Sequence, residues 1–356
     1  MKLLLCDPGA SSSTADVFYG YRGALERAGH EVLPFHLSTR IDLWRDWHEY
    51  AWRKAGKPDP RPTWADTIYR AGVDVIERAL RFQPDWVIVV SAMYMHPDAL
   101  VMLKRSGAKV AYILTESPYD LEHELRVAPF ADLVFTNERS VEPAFRAVNP
   151  LSYYLPAAYD PDRHNPDPMI GDDEVPAHDV VFVGTAFQER VELLNAIDWT
   201  GIDLGLYGNW DDLGSRSKLR QHVRGKVITN AIASALYRRA KVGLNLYRTS
   251  KGFGRNVPRV EHAESINPRG YELAACGVFQ VSDYRRAVEQ LFGPSVPMFR
   301  TPDELQGIIR LALTDDDWRR QCAVKSHERI RGNTFDARVK VLMDRIAACE
   351  RVEAMV

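Results

Sequence analysis

The stretch Glu264-Ser265-Ile266-Asn267-Pro268-Arg269-Gly270-Tyr271-Glu272, continuing through Leu273-Ala274-Ala275-Cys276-Gly277-Val278-Phe279-Gln280-Val281, reads as a loop, a helix and a strand in immediate succession. Asn267 is a favourable N-cap, Pro268 suits the first helical position, and Gly277 fits the stop before the apolar strand. Glu264 therefore falls in the loop and Glu272 inside the helix, seven residues between them. A helix that begins this way points free N–H groups at its mouth, which favours a phosphate, and Arg269 adds a cation there. A carboxylate just beyond, such as Glu272, has acceptor sites for vicinal hydroxyls such as a ribose diol.

Working outward, Val180-Val181-Phe182-Val183, Leu204-Gly205-Leu206-Tyr207 and Val242-Gly243-Leu244-Asn245-Leu246 are further buried-strand runs, alternating with helical patterns that start near Gln188, Asn230 and Pro268. This is the signature of a mostly parallel sheet. Residues 157–178 are crowded with Pro, Asp and Gly and read as a linker. Ahead of them lies a second alternating half: Leu3-Leu4-Leu5-Cys6, Val32-Leu33-Pro34-Phe35, Asp85-Trp86-Val87-Ile88-Val89-Val90, Val110-Ala111-Tyr112-Ile113-Leu114, Leu133-Val134-Phe135-Thr136 and Tyr153-Tyr154-Leu155. Residues 37–67, rich in Trp, Arg and Pro, read as an irregular or helical insertion. The expected division is residues 1–156, a linker at 157–178, a second domain at 179–334, and a terminal amphipathic helix at 335–356 bracing the first domain. In open parallel sheets ligands bind beyond the carboxyl ends of the strands, so two such edges facing a cleft are expected.

Composition narrows the functional classes. With 356 residues, 46% hydrophobic and 26% charged, the chain exceeds what one core usually organises. Met1-Lys2-Leu3-Leu4-Leu5-Cys6 is too short an apolar run for a signal and is followed at once by Asp7-Pro8; no segment approaches a membrane span, so a cytoplasmic location without membrane contact is expected. Four dispersed cysteines outline neither a disulfide framework nor a zinc site. Gly-x-Gly-x-x-Gly after the first strand, a Walker loop and a Gly-x-Ser-x-Gly elbow are all absent. Net charge is −2, yet residues 213–260 carry twelve Lys and Arg and no Asp or Glu. That asymmetry points to an anionic partner, a nucleoside diphosphate or a polyanion such as double-stranded DNA, with Lys251, Arg255 and Arg259 as contacts, although some of these side chains will be solvated helix faces.

At these residues the chain resembles the GT-B glycosyltransferases, α/β proteins with two Rossmann-like parallel-sheet domains, in which a Glu-x7-Glu pair spans a nucleotide-sugar donor. Ser265-Ile266-Asn267-Pro268-Arg269-Gly270-Tyr271-Glu272 is most similar to the CgeB-like, spore-maturation branch, as are Asp179-Val180-Val181-Phe182-Val183-Gly184-Thr185, Leu206-Tyr207-Gly208, Leu244-Asn245-Leu246-Tyr247-Arg248 and Tyr153-Tyr154-Leu155-Pro156-Ala157-Ala158. Asp7-Pro8-Gly9-Ala10-Ser11 is similar to glycosyltransferases of tailed bacteriophages, which implies host cytoplasm. Tyr271 departs from the Phe common before the second glutamate.

The resemblance implies a retaining hexosyltransferase using a nucleotide sugar, UDP-linked by preference, with no metal or other cofactor. Gly9, Gly184, Thr185, Arg190, Tyr207, Asn245, Asn267, Arg269, Tyr271 and Glu272 become donor contacts. Asp16, Glu264 and His96 become catalytic candidates, and Ser13, Glu116, Lys251 and Arg255 acceptor contacts. Asp16 in a first helical turn is stabilising without catalysis, and Gly184-Thr185 also reads as a simple tight turn. The acceptor is a hydroxylated base of phage DNA, a protein or a glycan. A non-catalytic sugar-nucleotide or polyanion binder, or an epimerase on the same scaffold, are the alternatives.

Overall fold

Five consecutive side chains in Trp86-Val87-Ile88-Val89-Val90 are all buried, the pattern of a parallel strand covered on both faces. The structure, a computed structural model, describes all residues except 11–13, 92, 170, 226–227, 253–256, 261 and 354–356. Contacts divide the chain into two units, Met1–Pro156 with Phe335–Val356, and Ala157–Thr334.

The first unit holds β1 (Lys2–Cys6), β2 (Glu31–Phe35), β3 (Trp86–Val90), β4 (Lys109–Leu114), β5 (Leu133–Thr136) and β6 (Ser152–Tyr154), all parallel in the order β2-β1-β3-β4-β5-β6. Order reverses between β1 and β3, so their carboxyl-end loops part at that point. Helices α1 (Ala15–Arg27), α2 (Leu37–Lys54), α3 (Trp64–Phe82), α4 (Pro97–Arg105), α5 (Leu121–Val127) and α6 (Glu142–Val148) make the crossovers. Residues 37–67 are thus helical over most of their length, with a turn between α2 and α3. Leu4, Cys6, Val87, Val89, Val110, Tyr112 and Leu114 alternate onto one face of the sheet and pack with Ile41, Ala71, Val75, Leu100 and Leu103.

In the second unit, β7 (Val180–Val183), α7 (Gln188–Asn195), β8 (Leu204–Tyr207), β9 (Val223–Gly225), α8 (Asn230–Arg239), β10 (Val242–Asn245), α9 (Pro268–Ala275), β11 (Phe279–Asp283), α10 (Arg286–Phe292), β12 (Met298–Phe299), α11 (Pro302–Thr314) and α12 (Asp316–Arg329) follow in turn. The parallel sheet runs β12-β11-β10-β7-β8-β9, with its switch between β7 and β10. Strands β9 and β12 are three and two residues long, too short to leave a periodic signal in the sequence.

The last helix, α13 (Phe335–Glu353), belongs to the first unit. The Phe335 ring fills the space over Gly20, where a Cβ would come within 2.2 Å of it, and meets Tyr21 edge-on at 5.2 Å. Arg27 makes a bidentate pair with Asp336 (2.8 and 2.9 Å), Trp86 Nε1 donates to Glu350, and Arg345 lies over Tyr153. Among the described residues no helix is long and apolar enough to cross a membrane.

One buried carboxyl stands out beside β4. Glu124 is 1% exposed and takes hydrogen bonds from Ser117 Oγ and the Glu116 N–H. Burial drives its pKa from 4.5 to about 8 against the pull of those two donors, with the charges of Glu116 and Asp120 adding to the rise. Between those values the native state keeps a proton the unfolded chain gives up, so stability falls as pH rises across that window. In Glu124→Gln the fall should be shallower than in the parent by up to ~1.4 kcal/mol per pH unit. Urea unfolding at pH 5, 6.5 and 8 measures it; parallel lines for both proteins would refute the assignment.

Candidate functional site: the carboxyl edges of the two sheets

The loop before α9 folds as its sequence dictates. Asn267 Oδ1 accepts from the Gly270 N–H at 3.0 Å, Pro268 occupies the first turn, and Gly277 closes the motif at φ +69°. Gly270 is needed there, since a Cβ would lie 2.6 Å from Ile266 Cγ2 and 3.0 Å from Asn245 Nδ2.

Two guanidinium groups gather at the switch between β7 and β10. Arg269 Nε donates to the Val183 carbonyl at the end of β7 (2.8 Å) and Nη1 to the Leu246 carbonyl just past β10 (3.2 Å). Arg190, 6% exposed at the start of α7, donates to the same Leu246 oxygen at 2.7 Å and to the Thr185 carbonyl at 3.0 Å. Both lie over the Phe182 ring, at 4.8 and 5.3 Å, and Arg190 and Arg248 also approach Phe187. Ring faces and carbonyl dipoles fix these cations in place, and a pair so held raises the local potential for an anion.

The neighbouring loops are drawn in by glycine. Gly184 N–H donates to the Tyr207 carbonyl at 2.8 Å, and a Cβ at Gly184 would meet Arg269 Nη2 at 2.7 Å. Gly208, at φ +115°, would put a Cβ 2.5 Å from the Gly184 oxygen. Glu272 is half-buried in α9, and its charge raises the pKa of both Tyr237 and Cys276, which places it on the α8 side; Arg269 hydrogen-bonds the Tyr237 side chain. Glu264 is a partly exposed loop carboxylate, 3.8 Å from Arg286 Nη1.

Three donor candidates point elsewhere. Tyr271 is 4% exposed and packs with Ile266, Val288 and Phe292. The Tyr207 hydroxyl meets His178 Nε2 at 2.8 Å, while His178 Nδ1 meets Asp203 at 2.8 Å, so the ring leans back toward the amino edge of the sheet. Asn245 is wholly buried and donates to the Tyr247 hydroxyl at 3.3 Å. Tertiary packing commits these side chains to the core.

In the first unit Gly9 sits at φ +69°, donating to Asp7, whose carboxylate also accepts from Ser38 N and Oγ. Asp16 lies in the first turn of α1. His96 caps α4: Nδ1 accepts from the Asp98 N–H at 3.2 Å, which requires the neutral ring, and Tyr69 meets it edge-on at 5.2 Å. Glu116 follows β4. Lys251 is exposed at the base of a loop closed by the Ser250–Arg259 bridge. Ser13 and Arg255 lie outside the described residues.

Residues 189–344 match the family described as glycosyl transferase-like. Over 210 residues the chain is 25% identical to spore protein CgeB of Bacillus subtilis (strain 168), covering 57% of this chain and 64% of that one, so it spans a little under two thirds of its relative's length. The fold is similar to that of sucrose-phosphate synthase from Thermosynechococcus elongatus, with a TM-score of 0.67 at 15% identity over 98% of this chain and 99% of the other. It is also similar to an α-glucosyltransferase solved with UDP and a 13-mer DNA, with a TM-score of 0.63 at 13% identity over 98% and 100%. This is the GT-B fold.

Within this GT-B fold the basic run is less available than its linear order implies. Arg238 makes a buried bidentate pair with Asp172 (2.6 and 2.7 Å), Lys241 pairs with Asp179, Arg224 with Asp203 and Arg259 with Glu192, while Arg220 donates to the Leu213 and Gly214 carbonyls. Every acidic partner lies outside residues 213–260. Several residues of the edge were not singled out in the sequence. Phe182 and Tyr237 look like ordinary core positions. Glu189 carries a carboxylate that burial pushes up, but donors from Ser250 Oγ, Ser250 N and Thr249 N outweigh this and take it down to about 2. Asp283, raised to about 6 by burial, accepts from Tyr247 N against the pull of Arg285 and Arg190.

The backbone contact between the two glycine loops is testable. Gly208→Ala should cost at least about 2 kcal/mol in urea unfolding, from its positive φ and its clash with a carbonyl. Gly214→Ala, with nothing within 4 Å of its Cβ, should cost far less. Equal stability of the two variants would contradict the packing described.

Proposed function

We propose that this chain transfers a sugar from a nucleotide-sugar donor, UDP-linked by preference, to an acceptor hydroxyl. The observation that carries the reading is the pair of guanidiniums, Arg190 and Arg269, joined through one carbonyl oxygen at the sheet's switch point beside the N-terminus of α9. The donor's diphosphate rests against them and against the backbone of Gly184-Thr185, where cations and N–H dipoles meet its charge. Glu272 accepts from the ribose diol, and Glu264 from hydroxyls of the transferred sugar.

In the reaction the bond from the anomeric carbon to the diphosphate oxygen breaks as the acceptor oxygen forms its bond to that carbon. Negative charge gathers on the departing phosphate, which the two arginines are placed to stabilise. The acceptor's proton leaves with the diphosphate. Retention at the anomeric carbon is the outcome implied by the Glu-x7-Glu resemblance. The acceptor classes supported are a glycan, a protein and a hydroxymethylated base of DNA, the last recommended by the DNA-bound α-glucosyltransferase of similar fold.

UDP-glucose, UDP-N-acetylglucosamine, GDP-mannose and dTDP-glucose, each titrated in a thermal-unfolding assay, test the reading. At least one should raise the melting temperature, the stabilisation reaching ~2.7 kcal/mol at a hundredfold excess over Kd. Glu272→Gln should weaken that ligand about tenfold to a hundredfold by loss of charge-assisted hydrogen bonds, with the unliganded melting temperature little changed; Arg269→Lys should weaken it as much and also lower the unliganded melting temperature, because the fork that ties β7 to β10 is lost. If none of the four binds, the proposal fails; conversion of a bound donor to its epimer without an acceptor would replace transfer with isomerisation.

A further inference from the structure

At the switch point of the first sheet, between β1 and β3, two aromatic rings stand exposed on a rigid mount. Trp64 and Tyr69, in the first half of α3, are each 45% exposed. Trp64 meets Tyr94 edge-to-face (6.1 Å, 89°) and Tyr69 meets His96 in the same way (5.2 Å, 86°), contacts that hold a ring without covering both its faces. Tyr94 is itself pressed against the β1 loop, since a Cβ at Gly9 would lie 2.7 Å from Tyr94 Cβ. A reciprocal capping box between Thr63 and Asp66 sets the first turn of α3, and Gly72 lets α3 close onto α4. The β3 loop leaves the sheet through Ser91, buried and held at φ +61°, with its N–H on the Ile113 carbonyl.

The charge of the strand-end loops beside these rings selects the ligand, since the cations that flank the rings in the chain are engaged, Arg61 with Glu49 and Arg70 over Trp44. Residues 7–10, 93–96, 115–120 and 137–138, which follow β1, β3, β4 and β5, include Asp7, Glu116, Asp120 and Glu138 and no Lys or Arg. Arg139 comes next in the chain and lies over Tyr154. The Tyr94 hydroxyl senses Glu116 and Asp120, whose charges add to the effect of burial in raising its pKa. Phosphodiester backbones seek cations, and a carboxylate-bearing edge repels them. A pyranose suits it: its apolar C–H face packs on the negative face of an aromatic ring, and its hydroxyls donate to carboxylates.

We infer that this edge is a stacking platform for an uncharged sugar ring, carried by Trp64 and Tyr69 with Glu116 and Asp120 receiving ring hydroxyls, and that the acceptor is therefore a saccharide. The assignment of this ring as acceptor rests on the transfer proposed above, whereas its binding does not.

Saturation-transfer NMR with the methyl glycosides of glucose, galactose, mannose, rhamnose and N-acetylglucosamine probes the platform directly. At least one should receive saturation on its ring C–H protons, unchanged between 50 and 500 mM NaCl. Trp64→Ala and Tyr69→Ala should each reduce that signal at least fivefold and Trp64→Phe much less, while the nucleotide-sugar thermal shift stays as in the parent. No signal from any of the five glycosides, or an undiminished one in both alanine variants, overturns the inference. So does a salt-sensitive 14-base-pair duplex that is glycosylated while the glycosides are not. Loss of the nucleotide-sugar shift in the parent would instead strike the transferase reading and leave the platform standing on its own signal.

Discussion

One carbonyl oxygen, that of Leu246, organises the second unit's edge. Arg190 reaches it from α7 and Arg269 from α9, and Arg269 goes on to Val183, so two helices and two strands are tied together where the sheet changes direction. Each guanidinium satisfies main-chain acceptors that strand ends would otherwise leave to water, and in doing so is fixed at the carboxyl edge of the sheet. In the transfer proposed above, the bonds that hold the fold also hold the cations. Phe182 beneath both cations supplies an apolar floor, and the glycines at 184 and 208 remove the side chains that would block it.

The two sheets repeat one plan with different chemistry at the same geometric place. In the second unit the switch point carries cations, a helix N-terminus and glycine backbone. In the first it carries exposed rings and carboxylates. A shared topology places loops at strand ends in both, and the side chains on those loops decide what is held.

Much of the fold was legible because parallel strands buried on both faces leave near-continuous apolar runs. The runs at 86–90 and 180–183 lie where such strands are found, and the helices expected near Gln188, Asn230 and Pro268 begin at those residues. Asn267 caps its helix because the signal is local, spanning three residues. What escaped were features set by distant partners. Strands β9 and β12 exist through their neighbours rather than any periodicity of their own. Tyr271 follows Arg269 and Gly270 in the motif, yet the turn of the helix carries it into the core. Four of the twelve cations of the basic run, Arg224, Arg238, Lys241 and Arg259, are paired with carboxylates that lie elsewhere in the linear order.

The seating of Phe335 over Gly20 has a bearing on how the chain acquires its shape. The surface of α1 that this ring covers is made early, and the helix that covers it is synthesised only after the whole of residues 157–334. During translation the leading half waits with Tyr21 and its neighbours uncapped, while the intervening unit, with its own sheet, is free to mature first. Completion of the first unit is thereby a long-range event, and the sticky interval before it is the stage at which a nascent chain of this design is most exposed to aggregation.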